Sequence, residues 1–191
     1  MKYFGTDGIR GRLNKRGINK KILHCLARAL VKFYDKHKLN KVLLVGNDSR
    51  KSSDYILSEI STILLSYGIS IDNLGVCSSP ALAYTTRYFH YPLSMMISAS
   101  HNPSEYNGIK FFNSLGEKIS LDSEKEIEQY MDNTRLYKRK EYASMKSVKN
   151  HINTYINYLK ELKRSSLPVI IDCAYGGASD ICKNIFTNNQ I

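Results

Sequence analysis

The sequence predicts an α/β sandwich, and three observations carry that expectation. Stretches with apolar residues at helical spacing alternate with short apolar runs of strand length. The runs Val42-Leu43-Leu44-Val45 and Leu93-Ser94-Met95-Met96-Ile97 are nearly continuous rather than alternating, as in strands buried on both faces. Polar clusters punctuated by Gly or Pro separate the two kinds of segment. At 191 residues, with 42% hydrophobic and 24% charged side chains, the chain can hold one well-buried domain and a small addition.

The chain opens on Gly5-Thr6-Asp7-Gly8-Ile9-Arg10-Gly11, three glycines in seven residues. Such a segment permits left-handed or closely approaching backbone. Arg10 adds a fork of donors suited to phosphate oxygens. From composition alone, a surface turn with a solvated arginine fits as well. Ile18, Ile22, Leu26, Leu30 and Tyr34 then recur every four positions, widened by Leu23, Ala27 and Val31. They predict an amphipathic helix over 18–37 that covers one sheet face, with His24 and His37 in solvent.

The strand at 42–45 leads into Gly46-Asn47-Asp48-Ser49-Arg50, and Ser52 or Ser53 is placed to cap a helix running to about residue 66. Gly46 to Arg50 reads from its residues as an ordinary strand-to-helix connection. Gly68 ends that helix, and 69–76 reads as extended. Ser78-Ser79-Pro80 starts a helix over 81–89, with Pro80 in its permitted first-turn place. The strand at 93–97 follows.

That strand should stop at Ser98-Ala99-Ser100-His101-Asn102-Pro103, because Pro103 withdraws a backbone donor and biases Asn102 away from helix. Two hydroxyls, an imidazole and nearby Lys110 thus fall at a strand end, where α/β proteins place their chemistry. An ordinary polar turn accounts for the same residues. Beyond it, 109–112 reads as a strand and Asn113-Ser114-Leu115-Gly116 as its turn. Ser123 and Glu126 are spaced as a capping box for a helix with Ile127, Tyr130 and Met131 on its apolar side. Residues 132–149 read as an irregular connection, and 152–162 as a helix with His151 at its exposed edge. Lys163-Arg164-Ser165-Ser166 is the linker candidate. It precedes a predicted strand over 167–173, a glycine-rich turn, and a helix from Ser179 whose stripe, including Ile181 and Ile185, is expected to be exposed.

Composition narrows the function classes. No stretch approaches the roughly 20 apolar residues of a membrane span, and no apolar run follows Lys2 as in a secretory signal. The expectation is a cytoplasmic protein. Cys25, Cys77, Cys173 and Cys182 lack close metal-ligand spacing and read as reduced, mostly buried thiols. The net charge of +11 arises from 28 Lys and Arg against 17 Asp and Glu, spread along the chain. Its densest patch, Arg135-Leu136-Tyr137-Lys138-Arg139-Lys140, lacks an accompanying nucleic-acid recognition motif. Attraction of an anionic small molecule needs only a locally positive cleft.

The serine loop, followed by Asn107-Gly108-Ile109-Lys110, resembles the active-site loop of the phosphohexomutases. The opening segment from Tyr3 to Gly11 resembles the start of their bacterial phosphoglucosamine mutase branch. The resemblance implies a three-layer α/β/α first domain with a mixed sheet over 1–162. It also implies a linker at 163–166 and the incomplete start of a second α/β domain over 167–191. It implies an intramolecular phosphotransferase, classed as an isomerase, of amino-sugar and cell-wall precursor metabolism. Ser100 is then the phosphoserine nucleophile, Arg10 a phosphate-stabilising group, His101 or Lys110 the proton-transfer or charge-balancing partner, and the Asp48-Ser49-Arg50 turn a structural support near the site. Mg2+ is implied, bound to Ser100 through its phosphate oxygen and to an Asp-Gly-Asp-x-Asp loop that these residues do not contain. A sugar bisphosphate is implied as activator and a sugar phosphate as substrate. Neither nucleic acid nor membrane is expected as a partner, and self-association through the exposed second-domain edge is. Such a chain reads as an amino-terminal fragment, inactive by itself. The alternatives are a phosphoglucomutase or phosphomannomutase fragment, or a non-catalytic binding module derived from the fold.

Overall fold

The computed structural model describes residues 1–15, 17–133, 135, 142–162 and 169–186. In chain order these form β1 (Ile9–Leu13), the two-residue β2 (Gly17–Ile18), α1 (Lys20–Lys36), β3 (Val42–Asn47), α2 (Ser53–Leu65), β4 (Ser70–Val76) and α3 (Ser79–Tyr88). There follow β5 (Leu93–Ile97), β6 (Tyr106–Asn113), α4 (Leu121–Asn133), β7 (Met145–Ser147), a 3-10 turn at Lys149–His151, α5 (Ile152–Glu161) and α6 (Ser179–Ile185).

Among the described residues the strands make one mixed sheet in the order β2-β1-β6-β5-β3-β4-β7. β5, β3, β4 and β7 run parallel, while β6 is antiparallel to both β5 and β1. One face carries the larger core, where Leu43, Val45, Ile97, Ile109 and Phe111 meet α1, α2 and α4. The other carries Leu44, Met96 and Phe112 against α3, α5 and α6. The expected three-layer α/β/α arrangement is therefore the observed one. The longest helix described, α1, is too short and too polar to cross a membrane, as are all other described helices.

Several local expectations need correction. Ser123 does not cap α4, which begins earlier. Ser120 Oγ accepts the Ser123 N–H at 3.1 Å, because the first-turn donor lies three residues beyond its cap. Ser52 makes no side-chain cap of α2 and instead accepts a hydrogen bond from Asn107 Nδ2 at 2.8 Å. His24 is half-buried, whereas His37 is exposed as expected. They meet Glu59 at 2.7 Å and Glu126 at 2.9 Å, tying α1 to α2 and α4. His151 is half-buried, stacked on Phe89 with ring centroids 4.0 Å apart. The irregular connection contains β7, which pairs with β4 and lengthens the sheet.

The carboxy-terminal stretch also differs. Its described part, 169–173, forms no strand, while Ile170 stays 98% exposed. Helix α6 does form, but its apolar stripe is covered. Ile181 is buried and Ile185, half-buried, packs against the second core. Of the cysteines only Cys77 is fully buried; Cys25, Cys173 and Cys182 are half-exposed, and all four are free thiols. The linker at 163–166 and the basic patch beyond Arg135 lie outside the described residues.

Candidate active site

Backbone geometry builds the serine loop before any chemistry enters. β5 ends at Ile97, whose carbonyl accepts the Asp48 N–H at 3.0 Å. The Ser98 N–H then donates to the Gly108 carbonyl at 2.9 Å, which anchors the loop to β6. Ser98 Oγ accepts the Ser100 N–H at 3.0 Å, and the Asn102 N–H donates to the Ala99 carbonyl at 3.1 Å. The result is a tight turn with Ser100 at its exposed tip, at φ +57°. A non-glycine residue in the left-handed region is uncommon and persists only where its surroundings hold it.

What holds it is Arg50. The Arg50 Nη2 donates to the carbonyls of Ser100 (2.8 Å) and Asn102 (2.7 Å), and Nη1 to those of Pro103 (2.7 Å) and Tyr106 (3.0 Å). Its Nε donates to Asp48 Oδ2 at 2.9 Å, while Asp48 Oδ1 accepts the Arg50 N–H at 3.1 Å. The sequence suggested only a weak supporting role for Arg50. The sole signal was the resemblance of its Asp-x-Arg turn to a family motif, and carbonyl partners about fifty residues away leave no mark in a sequence.

The candidate nucleophile Ser100 has its Oγ 3.3 Å from His101 Nδ1. Both side chains are exposed. Arg10 and Lys110 come together through the sheet. Arg10 lies opposite Gly108 and Lys110 opposite Met96, so the three side chains Arg10, Lys110 and Met96 rise from one face. Asp7 joins the two cations: its carboxylate accepts from Arg10 Nη2 and lies 3.6 Å from Lys110 Nζ. Gly8, at φ +85°, brings the turn of Asp7 against β6. A Cβ there would lie 2.2 Å from the Ile109 carbonyl oxygen, so only glycine fits.

Beside the loop opens a cleft of about 340 Å³. Ser98, Ser100 and Met96 form one side, Asp48 and Arg50 another, and Ser78 and Ser79 at the start of α3 a third. Ser78 also caps α3, accepting the Ala81 N–H at 3.4 Å. The remaining wall is the turn Ala174, Gly176 and Gly177, which sequence reasoning did not place at the site. Gly177 approaches so closely that a Cβ would sit 2.4 Å from the Cys77 carbonyl oxygen. Arg10, His101 and Lys110 stand outside this cleft, though Arg10 and Lys110 share its face of the sheet. Cys77 lines it as a neutral thiol, because burial pushes its pKa up to about 12.

The chemistry available is that of an exposed hydroxyl with an imidazole in reach, two cations nearby and a polar cleft at hand. Among the described residues no group of three or more His, Cys, Asp or Glu is arranged to hold a metal ion. These residues therefore do not fit a protein-held Mg2+. A phosphate on Ser100 would offer one ligand oxygen.

Comparison with known proteins gives this geometry its family. The sequence profile described as "Phosphoglucomutase/phosphomannomutase, alpha/beta/alpha domain I" matches residues 1–138. Phosphoglucosamine mutase of Dictyoglomus turgidum is 37% identical over 192 residues, covering 97% of this chain and 42% of that protein. Phosphoglucosamine mutase of Helicobacter pylori strain P12 is 35% identical over 197 residues, covering 98% and 44%. A crystal structure of a phosphoglucomutase/phosphomannomutase family protein from Burkholderia thailandensis superposes with a TM-score of 0.80 at 16% identity, covering 96% of this chain and 41% of that one. That likeness speaks for the fold alone. The chain spans about two fifths of the length of the curated relatives it matches. On the profile match, which takes in both the Asp7–Arg10 turn and the serine loop, the chain belongs to the phosphoglucomutase/phosphomannomutase family and carries its α/β/α domain I.

Proposed function

We propose that this chain supplies the phosphoserine half of a phosphoglucosamine mutase, which interconverts glucosamine 6-phosphate and glucosamine 1-phosphate. The observation that carries the reading is Ser100, held in a left-handed conformation at an exposed loop tip beside a polar cleft. As a phosphoserine it gives its phosphoryl group to a hydroxyl of the sugar monophosphate. The P–Oγ bond breaks, the sugar P–O bond forms, and the hydroxyl proton passes by way of a base to the leaving Ser100 Oγ. The bisphosphate then returns its other phosphoryl group to Ser100 Oγ, whose proton passes back to the sugar oxygen released. His101 Nδ1, 3.3 Å from Ser100 Oγ, is the nearest candidate for the proton. Arg10 and Lys110, two cations against the single carboxylate of Asp7, are suited to the transferring phosphoryl charge.

The choice of glucosamine phosphate over glucose or mannose phosphate rests on the names of the relatives at 35–37% identity. Magnesium belongs to the same reading, and toward it this chain would offer the phosphate on Ser100, the Asp-Gly-Asp-x-Asp loop being absent from these 191 residues. The first domain ends near residue 162, and 167–191 begins a second. The test is direct. Incubation of the folded chain with glucose 1,6-bisphosphate is expected to place a phosphoryl group on Ser100, located by peptide mass spectrometry. A label on Ser98 alone would overturn the assignment.

A further inference from the structure

The guanidinium of Arg50 is used completely. Arginine carries five N–H donors in a planar fork. Here Nε serves Asp48, Nη1 serves Pro103 and Tyr106, and Nη2 serves Ser100 and Asn102. Each donor has one acceptor within 3.0 Å, and the side chain is only 12% exposed. Four of those acceptors are carbonyls from the turn that carries Ser100. Without the fork they would point at one another across a partly buried space, with their dipoles unanswered.

Two consequences follow from this arrangement. Arg50 lines the cleft beside Ser100 but has no donor left for a phosphate, so the cation that meets a phosphoryl group must be a different one. The left-handed Ser100 is fixed on its carbonyl side by Arg50 and on its amide side by Ser98 Oγ. Those two bonds set the direction in which Cβ and Oγ leave the loop. We infer that Arg50 is a positioning residue for phosphoryl transfer, one that aims the phosphoserine at its cationic partners while touching neither phosphate nor sugar. This rests on Ser100 being the phosphorylated residue. It assigns to Arg50 a role in orienting that group which charge alone cannot fill.

Lysine separates the two contributions, since it keeps the charge but offers three donors on a single atom and cannot span the fork. Phosphoserine is installed at position 100 by co-translational incorporation, so the experiment needs no transfer activity and is independent of whether a sugar bisphosphate labels the chain. The readouts are the 31P titration of the phosphate and amide hydrogen exchange over 98–106, in the parent and in Arg50→Lys.

In the parent the phosphate is expected to titrate away from the value of about 6 found for a free phosphoserine. In Arg50→Lys the midpoint is expected to return more than halfway to the free value. Loop amides should exchange about tenfold faster, while those of Val42–Asn47 and Leu93–Ile97 keep their protection. If circular dichroism shows Arg50→Lys unfolded, Asp48→Asn carries the test. It loosens Arg50 by removing the charge on its Nε partner, with smaller changes expected in the same direction. A variant that titrates like the parent overturns the inference. So does a parent phosphate that titrates like the free amino acid, or a loop whose exchange is unchanged.

Discussion

Replacing Gly108 by alanine strikes the sheet and the serine loop with one atom. β6 passes between β1 and β5, and at Gly108 the neighbouring backbones come close. A Cβ there would lie 2.5 Å from the Ser98 carbonyl oxygen, 3.0 Å from Arg10 Cγ and 3.2 Å from the Ile9 carbonyl oxygen. Carbon–oxygen contacts between strands settle near roughly 3.3 Å, so the Ser98 carbonyl must retreat by about 0.8 Å. It cannot do so freely, because the Ser98 N–H is bonded to the Gly108 carbonyl at 2.9 Å. Overpacking of this kind costs about 1–3 kcal/mol. With a urea slope of about 2 kcal/mol per molar, the unfolding midpoint should fall by about 0.5–1.5 M.

The displaced atoms also belong to Ser98 and Arg10. In buffer where the variant is still fully folded, the rate of Ser100 labelling by glucose 1,6-bisphosphate should fall about tenfold, equivalent to roughly 1.4 kcal/mol of misplacement. The paired assays are urea denaturation followed by circular dichroism and timed peptide mass spectrometry. A midpoint within about 0.2 M of the parent, with labelling unchanged, would refute the close-packing argument.

Other outcomes can be checked separately. Burial opposes ionisation of Glu126, but hydrogen bonds from Lys36, His37 and Tyr130 outweigh it and bring its pKa from the ordinary 4.5 to about 2. A carboxylate depressed on folding stabilises above its unfolded value, and that stability is lost as pH falls through 4.5 towards 2. The urea midpoint should therefore drop across that window, and Glu126→Gln should flatten the drop; an equal drop in the variant would count against the assignment. Ile181→Ala removes the buried anchor of α6 at a cost of about 2–5 kcal/mol to its docking, so amides of Ser179–Ile185 should lose protection while those of β3 keep theirs. If that exchange is unchanged, α6 is held by something other than the second core. Finally, these 191 residues contain no Asp-Gly-Asp-x-Asp loop, so on their own, with magnesium and a sugar bisphosphate, they are expected to give background rates in a coupled mutase assay. Turnover that disappears in Ser100→Ala would show that they hold a complete site.

The sequence by itself determined the local framework. Strand β5 at Leu93–Ile97, the body of α1, the Ser78 cap with Pro80 behind it, and the serine loop after β5 all stand where their residues predict. Each depends on interactions within a few residues: apolar spacing, a hydroxyl three positions before its donor, a proline that ends a strand. Ser100, His101, Arg10 and Lys110 were singled out by the likeness of two short local motifs to a known family, while the residues alone fit an ordinary polar turn and a solvated arginine equally well.

Tertiary structure decided which of those groups meet and what holds them. Asp7 bridges Arg10 and Lys110 only because β1 pairs with β6, a pairing fixed by sheet order rather than by any spacing. Arg50 became the keystone of the serine loop through partners 50 to 56 residues away. The stripe on α6 looked exposed in isolation and is covered, Ile181 fully and Ile185 in part, because the face of α3 and α5 lay open to receive it. The apolar run at 169–173 had strand character yet forms no strand, since a strand exists only where a neighbour offers it a ladder. Periodicity reports that a side chain prefers burial or solvent. It carries no information about which distant carbonyl, carboxylate or helix face will satisfy it, and that choice belongs to the closed fold.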